Sequence, residues 1–596
     1  MTESSPSWTA VSALALAAVA LAGCATDGAR IAPSGDWSAQ AGNDENWRYS
    51  ALRRIDRGNV AGLQLAWRRP TGVPGGHEGG PLMVDGLLYL HTPYPNRVQA
   101  LDPATGALVW QYLPEQDARA LATLCCDKVS RGLAWGRTAE GEGRILLQQT
   151  DTTLVALDAR TGAVRWRANN GDPALGETAT QAPHVFDHHV VTGIAGGEYG
   201  VRGHITAYAL EDGRRLWRGY STGPDADMLM DPERSMTWRD GRMRPVGRDS
   251  SLSSWQGDQW RQGGGTTWGW YARDRALGLL YYGSGNPSTW NPVQRPGDNR
   301  WSMSLWARDL ATGVVRWVYQ MTPHDEWDYD GVNELILFDA DDGQGRTRRL
   351  LAHFDRNGFA YLLDRASGAL LRADKFDAAV NWASHVDPFT GRPQVEPARS
   401  PQHTGTDDTT RGICPATIGA KNQAPAAYAP DSGLFFVPTV HLCMDNEVFQ
   451  VSYTAGQPYT GADIHMRAVP GDEQAMGRLI AWDALRGRTV WSRDERLPLW
   501  GGALATAGGL VFYGTLEGEL KAVDARDGRL LWTSPRLASG IVGNVTTWMH
   551  DGRQYIGVYA GVGGLAADPD GIARMAAVGG AGQGGELAVF ALPDRP

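Results

Sequence analysis

The chain has 596 residues, of which 42% are hydrophobic and 20% are charged, and its formal net charge is −10 at pH 7. A chain of this length and hydrophobic content can bury a large core, which argues against disorder. The negative net charge argues against nucleic acid as a partner, because binding a phosphate backbone requires clustered Lys and Arg. The 75 Gly, 24 Trp and 19 Tyr favour an all-β fold with many tight turns and aromatic packing.

An apolar run from Val11 to Ala22 lies near the N-terminus. It is too short to cross a bilayer but fits the apolar core of an export signal over residues 1–23. The sequence LAGC, which ends at Cys24, resembles a bacterial lipobox in which that cysteine is lipidated and begins the mature chain. Because no Lys or Arg precedes the run, lipidation at Cys24, a plain cleaved signal and a misassigned start all remain open. We expect export from the cytoplasm, most simply to the periplasm.

Four cysteines follow this segment, namely Cys125, Cys126, Cys414 and Cys443. An even number of cysteines suits two disulfides in an oxidising compartment, which agrees with export. The sequence contains no C-x-x-C-H, so it has no motif for covalently attached haem.

A phrase that combines an Asp, a turn with Gly and a strand closed by Trp recurs along the chain. Six copies end at Trp110, Trp166, Trp217, Trp317, Trp491 and Trp532, and a degenerate copy begins at Leu362. Each copy predicts a β-hairpin, because Asp bonds turn amides, Gly supplies a positive φ and the Trp packs on the next unit. A spacing of about 50 residues in the first half is typical of a β-propeller, whose sheets bury their faces by radial stacking. Counting insertions, we expect eight blades in one domain over residues 24–596.

The repeats resemble the tryptophan-docking motifs of dehydrogenases that depend on pyrroloquinoline quinone (PQQ). Unrepeated segments narrow the resemblance to the methanol dehydrogenase class: HEGGPL from His77, TLCCDKVSRGLAW from Thr123, TQAP from Thr180, GGGTTWGW from Gly263, GSGNPSTWNPVQRPGDNRWSM from Gly283 and TPHDEWDYDGVNE from Thr322. The resemblance covers nearly the whole mature chain. It implies an eight-bladed propeller that oxidises a small primary alcohol of the methanol or ethanol class to the aldehyde.

The resemblance also implies how PQQ is held. Cys125 and Cys126 match a vicinal disulfide on one face of the quinone, and Trp268 matches the indole on the other face. Clamping a planar ring between sulfur and an indole is chemically reasonable. Arg131 and Arg356 match cations that bind the three carboxylates of PQQ.

Further family contacts match Glu78, Thr180, Gly196, Gly197 and Asn422. Ala195 stands where many relatives have a Ser that bonds the cofactor, and the neighbouring glycine amides are the alternative donors. Leu565 stands where relatives resembling methanol dehydrogenase carry Trp, which predicts a wider substrate space and tolerance of longer alcohols.

Four residues match the family's metal ligands, namely Glu198, Asn286, Asp328 and Asp330. All are hard oxygen donors, which favours Ca²⁺ or a lanthanide over softer metals. Calcium-type relatives have Ala at the position of Asp330, whereas lanthanide-type relatives have Asp. A trivalent ion needs more anionic oxygen than a divalent one, so the sequence favours La³⁺ or Ce³⁺.

The implied chemistry divides the work between metal and protein. The metal polarises the C5 carbonyl of PQQ, and Asp328 matches the general base that takes the alcohol proton. Because the chain has no haem motif, the resemblance implies a separate periplasmic cytochrome c as electron acceptor. It also implies a second disulfide between Cys414 and Cys443, and a homodimer.

Two other functions remain open at this point. One is a calcium-dependent quinoprotein dehydrogenase for larger alcohols or aldehydes. The other is a non-catalytic propeller lipoprotein, which has a lipobox and similar repeats. Such a scaffold has no need for the paired Cys125 and Cys126, or for the carboxylates that match the metal ligands.

Overall fold

The computed structural model describes residues 35–125, 128–341, 344–563 and 584–593. Strands dominate this part of the chain, as predicted for an all-β protein, and its helices are short. The 3₁₀ helices are Val60–Gly62, Ala118–Ala122, Pro173–Leu175, Gly197–Tyr199, Leu252–Ser254, Gln259–Gln262, Pro292–Gln294 and Pro397–Arg399, and an α-helix spans Pro401–Thr404. No helix within the described ranges is long and apolar enough to cross a membrane.

Eight sheets of the described residues contain four antiparallel strands that are neighbours in the sheet, and we number these sheets in chain order. Sheet 1 has Leu82–Val84, Leu87–His91, Val98–Leu101 and Leu108–Tyr112; sheet 2 has Leu133–Arg137, Gly143–Gln148, Thr153–Asp158 and Val164–Asn169; sheet 3 has His184–Phe186, His189–Thr192, His204–Ala209 and Arg215–Tyr220; sheet 4 has Tyr271–Asp274, Leu279–Gly283, Ser304–Asp309 and Val315–Gln320. Sheet 5 has Leu335–Asp341, Thr347–Phe354, Phe359–Asp364 and Leu370–Lys375; sheet 6 has Ala427–Ala429, Leu434–Val440, Gly477–Asp483 and Arg488–Glu495; sheet 7 has Leu504–Thr506, Leu510–Gly514, Leu520–Asp524 and Leu530–Thr533; sheet 8 has Thr546–His550, Arg553–Ala560, Glu586–Ala591 and Gln64–Pro70.

The remaining strands extend these sheets or form small additions. Sheet 4 is extended by Met236–Arg239 and Arg242–Pro245, and sheet 7 by Tyr49–Ser50. A two-stranded sheet pairs Ala383–Asp387 with Arg392–Val395, and a three-stranded sheet contains Thr409–Ile413, Leu442–Val448 and Ala462–Ala468.

Sheet 8 joins strands from the two ends of the chain. Gln64–Pro70 pairs antiparallel with Glu586–Ala591, so that Leu65 lies opposite Phe590. The turn glycine of sheet 1, Gly106, in turn lies against Trp67 of sheet 8. Backbone pairing and side-chain packing therefore connect the last sheet to the first.

The repeated tryptophans dock six of the eight sheets, namely sheets 1 to 4, 6 and 7, on the sheet that follows. Trp110 of sheet 1 donates its indole N–H to the carbonyl of Ala159 at 3.0 Å, and Trp317 of sheet 4 donates to Arg365 at 3.0 Å. The same bond is made by Trp166, Trp217, Trp491 and Trp532. These bonds and contacts confirm the predicted packing role of the repeated Trp residues.

The turn glycine of most repeats is required by this docking. Gly162 has φ +72°, and a Cβ added there would lie 2.5 Å from the Trp110 ring, closer than any real contact. An added Cβ at Gly368 would lie 2.6 Å from the Trp317 ring. Gly therefore serves both the turn and the close approach of the indole.

The predicted site residues lie at one end of this array. The segments that enter the first strands of sheets 1 to 7 carry, in order, Glu78, Arg131, Thr180, Trp268, the pair Asp328 and Asp330, Asn422, and Trp500. Glu198, Asn286 and Arg356 lie between the second and third strands of sheets 3, 4 and 5. In an antiparallel sheet the start of the first strand lies beside the end of the second strand. The segments that enter first strands and those that follow second strands are therefore at the same end of the sheets.

The cysteines agree with the predicted pairing where the structure describes them. Cys414 and Cys443 form a disulfide, which confirms the second predicted pair. Cys125 is disulfide-bonded, but Cys126 lies outside the described residues, so the vicinal pair stays a prediction. The export segment 1–23, the lipidation site Cys24 and Leu565 also lie outside the described residues.

Candidate functional site

The converging segments line one cavity. Its empty space, including the solvent at its mouth, is about 930 Å³. The lining residues are Glu78, Cys125, Val129, Arg131, Thr178, Thr180, Ala195, Gly196, Glu198, Trp268, Trp290, Asp328, Asp330, Arg356, Thr417, Ile418, Asn422, Trp500 and Gly563. Most residues predicted to bind PQQ or a metal therefore lie in a single cavity, although sheets far apart in the sequence supply them.

An indole and two guanidinium groups form one part of the cavity. The guanidinium carbon of Arg131 lies 4.6 Å from the centre of the Trp268 ring, and that of Arg356 lies 5.4 Å from it. Arg131 is held by an ion pair with Glu78 at 2.8 Å and a hydrogen bond to the Thr180 hydroxyl at 2.6 Å. A flat aromatic surface with two adjacent cations suits a planar polycarboxylate.

Other predicted cofactor contacts are backbone groups and an amide. Gly196 has φ +108°, and an added Cβ would lie 2.2 Å from the Gly176 carbonyl oxygen, so only Gly fits this turn. Asn422 lines the cavity and donates to the Ile418 carbonyl at 3.0 Å. Ala195 also lines the cavity, and its backbone amide bonds Thr178 at 2.9 Å.

The predicted metal ligands form a connected group beside this aromatic surface. The backbone amide of Asn286 donates to Asp330 at 2.9 Å, and its side-chain amide donates to Asp328. Arg356 lies 3.3 Å from the Asp330 carboxylate. Thr417 donates its hydroxyl to the other oxygen of Asp328 at 2.8 Å. Three carboxylates, with that of Glu198, thus face a cavity in which Arg356 pairs with one of them.

The electrostatics of these carboxylates show a deficit of positive charge. Burial, together with the nearby charge of Asp330, raises the pKa of Glu198 to about 7. Burial and the charges of Asp330 and Glu198 raise the pKa of Asp328 well above its usual range. Burial also raises the pKa of Asp330, although Arg356 opposes the shift. Carboxylates that repel one another in a buried site are stabilised in their ionised forms by a cation.

The donor set fits a hard metal ion but is not arranged around one. Among the residues that the structure describes, no group of three or more His, Cys, Asp or Glu side chains is already assembled as a metal site. The contacts explain this arrangement, since Asn286 turns its amide nitrogen toward Asp328 and Arg356 pairs with Asp330. A cation would replace these contacts with oxygen ligands from Glu198, Asp328, Asp330 and the reversed amide of Asn286.

The cavity also fits the cofactor that the resemblance implies. The Nε atom of Arg356 is buried and has no hydrogen-bond partner among the described residues. Arg356 lines the same cavity as Trp268 and the disulfide-bonded Cys125. A buried donor without a partner is costly, and a cofactor carboxylate or carbonyl would satisfy it.

Two predicted residues take positions behind the cavity wall rather than on it. Gly197 lies next to Asn286, since an added Cβ there would be 3.3 Å from the amide oxygen. Asn286 is fully buried behind Asp328 and Asp330. Their predicted roles in cofactor and metal binding stay predictions.

The sequence analysis missed several lining residues, including Trp290, Thr417 and Trp500. Trp500 donates its indole N–H to Glu78 at 3.3 Å and so supports the Arg131 ion pair. Trp290 lies in the same unrepeated segment as Asn286, and this proximity was an available signal. Thr417 is an ordinary residue in sequence, and only the fold brings it to Asp328.

Comparison with known proteins agrees with this site. The family model described as "PQQ: Glucose/ethanol/alcohol dehydrogenase, beta-propeller domain" matches residues 37–373 and 392–556. The chain is 52% identical to a lanthanide-dependent methanol dehydrogenase of Methylorubrum extorquens, over 92% of this chain and 93% of the relative. It is 42% identical to "Methanol dehydrogenase [cytochrome c] subunit 1" of Methylobacterium organophilum, over 98% and 97% of the two chains.

A solved structure titled "Europium-containing methanol dehydrogenase" is similar over 94% of this chain and 98% of its own, with 45% identity and a TM-score of 0.86. Sequence, fold and cavity thus support the same assignment. The chain belongs to the family of PQQ-dependent alcohol dehydrogenases.

Proposed function

We propose that this protein binds PQQ and a lanthanide ion in the cavity and oxidises a small primary alcohol, of the methanol or ethanol class, to the aldehyde. The observation that carries the proposal is that Trp268, two arginines and three carboxylates line the same cavity. When bound, PQQ supplies the hydride acceptor and the ion polarises its carbonyl. The chain's own residues supply binding, orientation and proton transfer.

Asp328 is the proposed general base. It lies in the cavity with 8% of its surface exposed. Thr417 donates a hydrogen bond to one of its carboxylate oxygens and Asn286 donates one to the other, which fixes the orientation of the carboxylate. A cation next to the carboxylate would favour the ionised form, which accepts the hydroxyl proton of the alcohol. Trp290 and Ile418 supply apolar wall near this base and help to exclude water.

Asp330 is the proposed reason for choosing a lanthanide over Ca²⁺. Its carboxylate adds a third negative charge to those of Glu198 and Asp328, and a trivalent ion neutralises that excess better than a divalent one. Two relatives support the proposal by their names, since one is lanthanide-dependent and another contains europium. Ca²⁺ is the alternative ion in this family.

Electron transfer and location complete the proposal. A relative named for cytochrome c supports a separate cytochrome c as the electron acceptor. We place the mature enzyme in the periplasm after removal of residues 1–23, either free or anchored through a lipid on Cys24. We also propose that residues 24–596 form one domain in which the eight numbered sheets are eight blades, and that two chains form a homodimer.

The test is turnover of the purified protein with PQQ, La³⁺ or Ca²⁺, and an artificial electron acceptor. A panel of methanol, ethanol, butanol and larger aldehydes separates the proposal from the calcium-dependent enzyme for larger substrates. We expect turnover of the short alcohols only when both PQQ and the ion are present, with Asp328→Asn as the inactive control. Preference for a larger aldehyde with Ca²⁺ would support the calcium-dependent dehydrogenase. Absence of PQQ binding would contradict the proposal and favour the non-catalytic propeller scaffold.

A further inference from the structure

Arg295 is a buried cation close to the site that none of the roles above uses. It lies between the second and third strands of sheet 4, in the same segment as Asn286, and only 1% of its surface is exposed. Its Nε atom donates to the Thr289 carbonyl, and Nη1 donates to the Asn299 side chain at 2.8 Å. Nη2 donates to the Asp325 carbonyl, so one guanidinium bridges this segment and the one that carries Asp328.

Asp325 extends this bridge to the proposed base. Its carboxylate accepts hydrogen bonds from the backbone amides of Trp327 at 3.3 Å and Tyr329 at 3.2 Å. These amides flank Asp328, which has φ +61°, a conformation that few residues other than Gly adopt readily. The side chain of Asp325 thus holds the backbone on both sides of Asp328.

The burial of Arg295 argues that these bonds have a purpose beyond packing. No carboxylate forms an ion pair with Arg295 in the described part of the chain, and its acceptors are carbonyl and amide oxygens. Burial lowers its pKa to about 10, so it stays protonated at neutral pH. A buried charge is generally less favourable than an apolar side chain of the same size, unless its hydrogen bonds fix a required arrangement.

We propose that Arg295 and Asp325 form a buried clamp that positions Asp328 and Asp330 relative to Asn286 and so presets the metal site. The inference rests on the proposed function, because it assigns the clamp to that site. Both are positioning residues, since Arg295 acts through the backbone of Asp325, and Asp325 acts through the amides next to Asp328. Residues that orient metal ligands typically change metal affinity by about 10-fold to 100-fold when they are removed.

The test uses Arg295→Lys and Asp325→Asn, with Arg308→Lys as the matched control. Arg308 is another fully buried arginine of sheet 4, and it bonds the Met228 carbonyl at 2.7 Å and the Gly313 carbonyl at 2.8 Å, away from the cavity segments. Each protein is loaded with PQQ and stripped of metal with a chelator. Its Kd for Tb³⁺ is then measured by titration calorimetry, and its Tm by calorimetric scanning.

We expect Arg295→Lys and Asp325→Asn to weaken Tb³⁺ binding about tenfold or more. The Kd of Arg308→Lys for Tb³⁺ should stay within about twofold of wild type, even if its Tm falls as much as the Tm of the two clamp variants. The clamp is overturned if Arg295→Lys and Asp325→Asn bind Tb³⁺ like wild type, or if Arg308→Lys loses as much affinity as they do at equal Tm. Wild-type protein that binds PQQ but no Tb³⁺ would instead overturn the proposed metal site, and the clamp with it.

Discussion

Trp317 lies in sheet 4 and Trp268 in the segment that enters it, and the two indoles serve different purposes. Trp317 lies in the last strand of sheet 4, is 1% exposed, donates its N–H to a backbone carbonyl and packs on the turn glycine Gly368. Trp268 precedes the first strand, lines the cavity and lies beside the guanidinium groups of Arg131 and Arg356. The first indole has neutral backbone partners, and the second has two cations.

The difference extends to the regions that contain these residues. The docking region, which we define as the repeated Trp residues and the turn glycines beside them, repeats one sequence phrase, and its indole N–H bonds join one sheet to the next. The cavity region is built from unrepeated segments, and it concentrates carboxylates whose pKa values burial raises. The residues that stabilise the fold and the residues that line the cavity thus lie in different segments. Single substitutions can therefore change stability and activity separately.

Asp328→Asn should have the largest effect on activity. The amide keeps an oxygen for a metal but cannot accept the alcohol proton at neutral pH, so we expect turnover to fall about 10²-fold to 10⁴-fold. The Tm should change little, because Asp328 makes none of the contacts that dock one sheet on another, and the affinity for PQQ should change little, because the amide keeps an oxygen for the metal. Turnover within about threefold of wild type, measured under saturating alcohol, would remove Asp328 from the base role.

Asp330→Ala should remove the response to lanthanides. Without the third carboxylate, we expect La³⁺ to bind on the order of 100-fold more weakly, because a trivalent ion loses one of its anionic ligands. Titration of metal-stripped, PQQ-loaded protein with La³⁺ gives the affinity. Wild-type affinity in this variant would show that Asp330 does not select the metal.

Alanine substitutions at the two tryptophans should separate stability from cofactor binding. Trp317→Ala should lower the free energy of unfolding by about 3–5 kcal/mol, because it leaves a large cavity between two sheets. Trp268→Ala should cost less stability but weaken PQQ binding, since that indole lines the cavity in which we propose that PQQ binds. Denaturant unfolding and PQQ titration of both variants measure the two effects, and equal losses in both assays would contradict the division.

The pH dependence of metal binding should be the mildest of these effects. Because burial raises the pKa of Glu198 to about 7, and burial with the charge of Asp330 also raises the pKa of Asp328 well above its usual range, metal binding must displace protons in mildly acidic solution. We expect La³⁺ affinity to rise with pH between 6 and 7, by up to about tenfold per proton released. A flat profile in Kd measurements over this range would contradict the raised pKa values.

The same shift makes a prediction for the metal-free protein. At pH between 4.5 and 7 the folded chain holds a proton on Glu198 that the unfolded chain has released. Folding stability should therefore fall as pH rises through this window, and added La³⁺ should reverse the loss. Thermal unfolding with and without La³⁺ measures both changes.

The docking region could be predicted from sequence in detail, because the residues that form each turn and supply its indole lie close together in the sequence. The phrase around Trp110 or Trp317 contains the turn Asp, the Gly and the indole within a few residues, and the structure connects them as expected. The degenerate copy from Leu362 also forms its turn, in which Asp364 accepts from Ser367. The last sheet could not be predicted from the repeats alone, since it is completed by an N-terminal strand without the phrase.

The cavity could be predicted only through resemblance, because its contacts join residues far apart in sequence. Glu198 and Asp330 come from segments of different sheets, and nothing local to either residue indicates that Asp330 raises the pKa of Glu198 or that both raise the pKa of Asp328. Thr417 and Arg295 were missed for the same reason. Their partners, Asp328 and Asp325, lie in a segment that is brought to them by the fold.

The proposed function requires this cavity to use a lanthanide with PQQ to oxidise a short primary alcohol. Its most direct test is the ratio of ethanol turnover with La³⁺ to that with Ca²⁺, measured on PQQ-loaded wild-type protein after chelator treatment. We expect activation by La³⁺ well above that by Ca²⁺, because three carboxylates face the cavity and Arg356 pairs with only one of them. Equal activation by the two ions, or activation by Ca²⁺ alone, would contradict it.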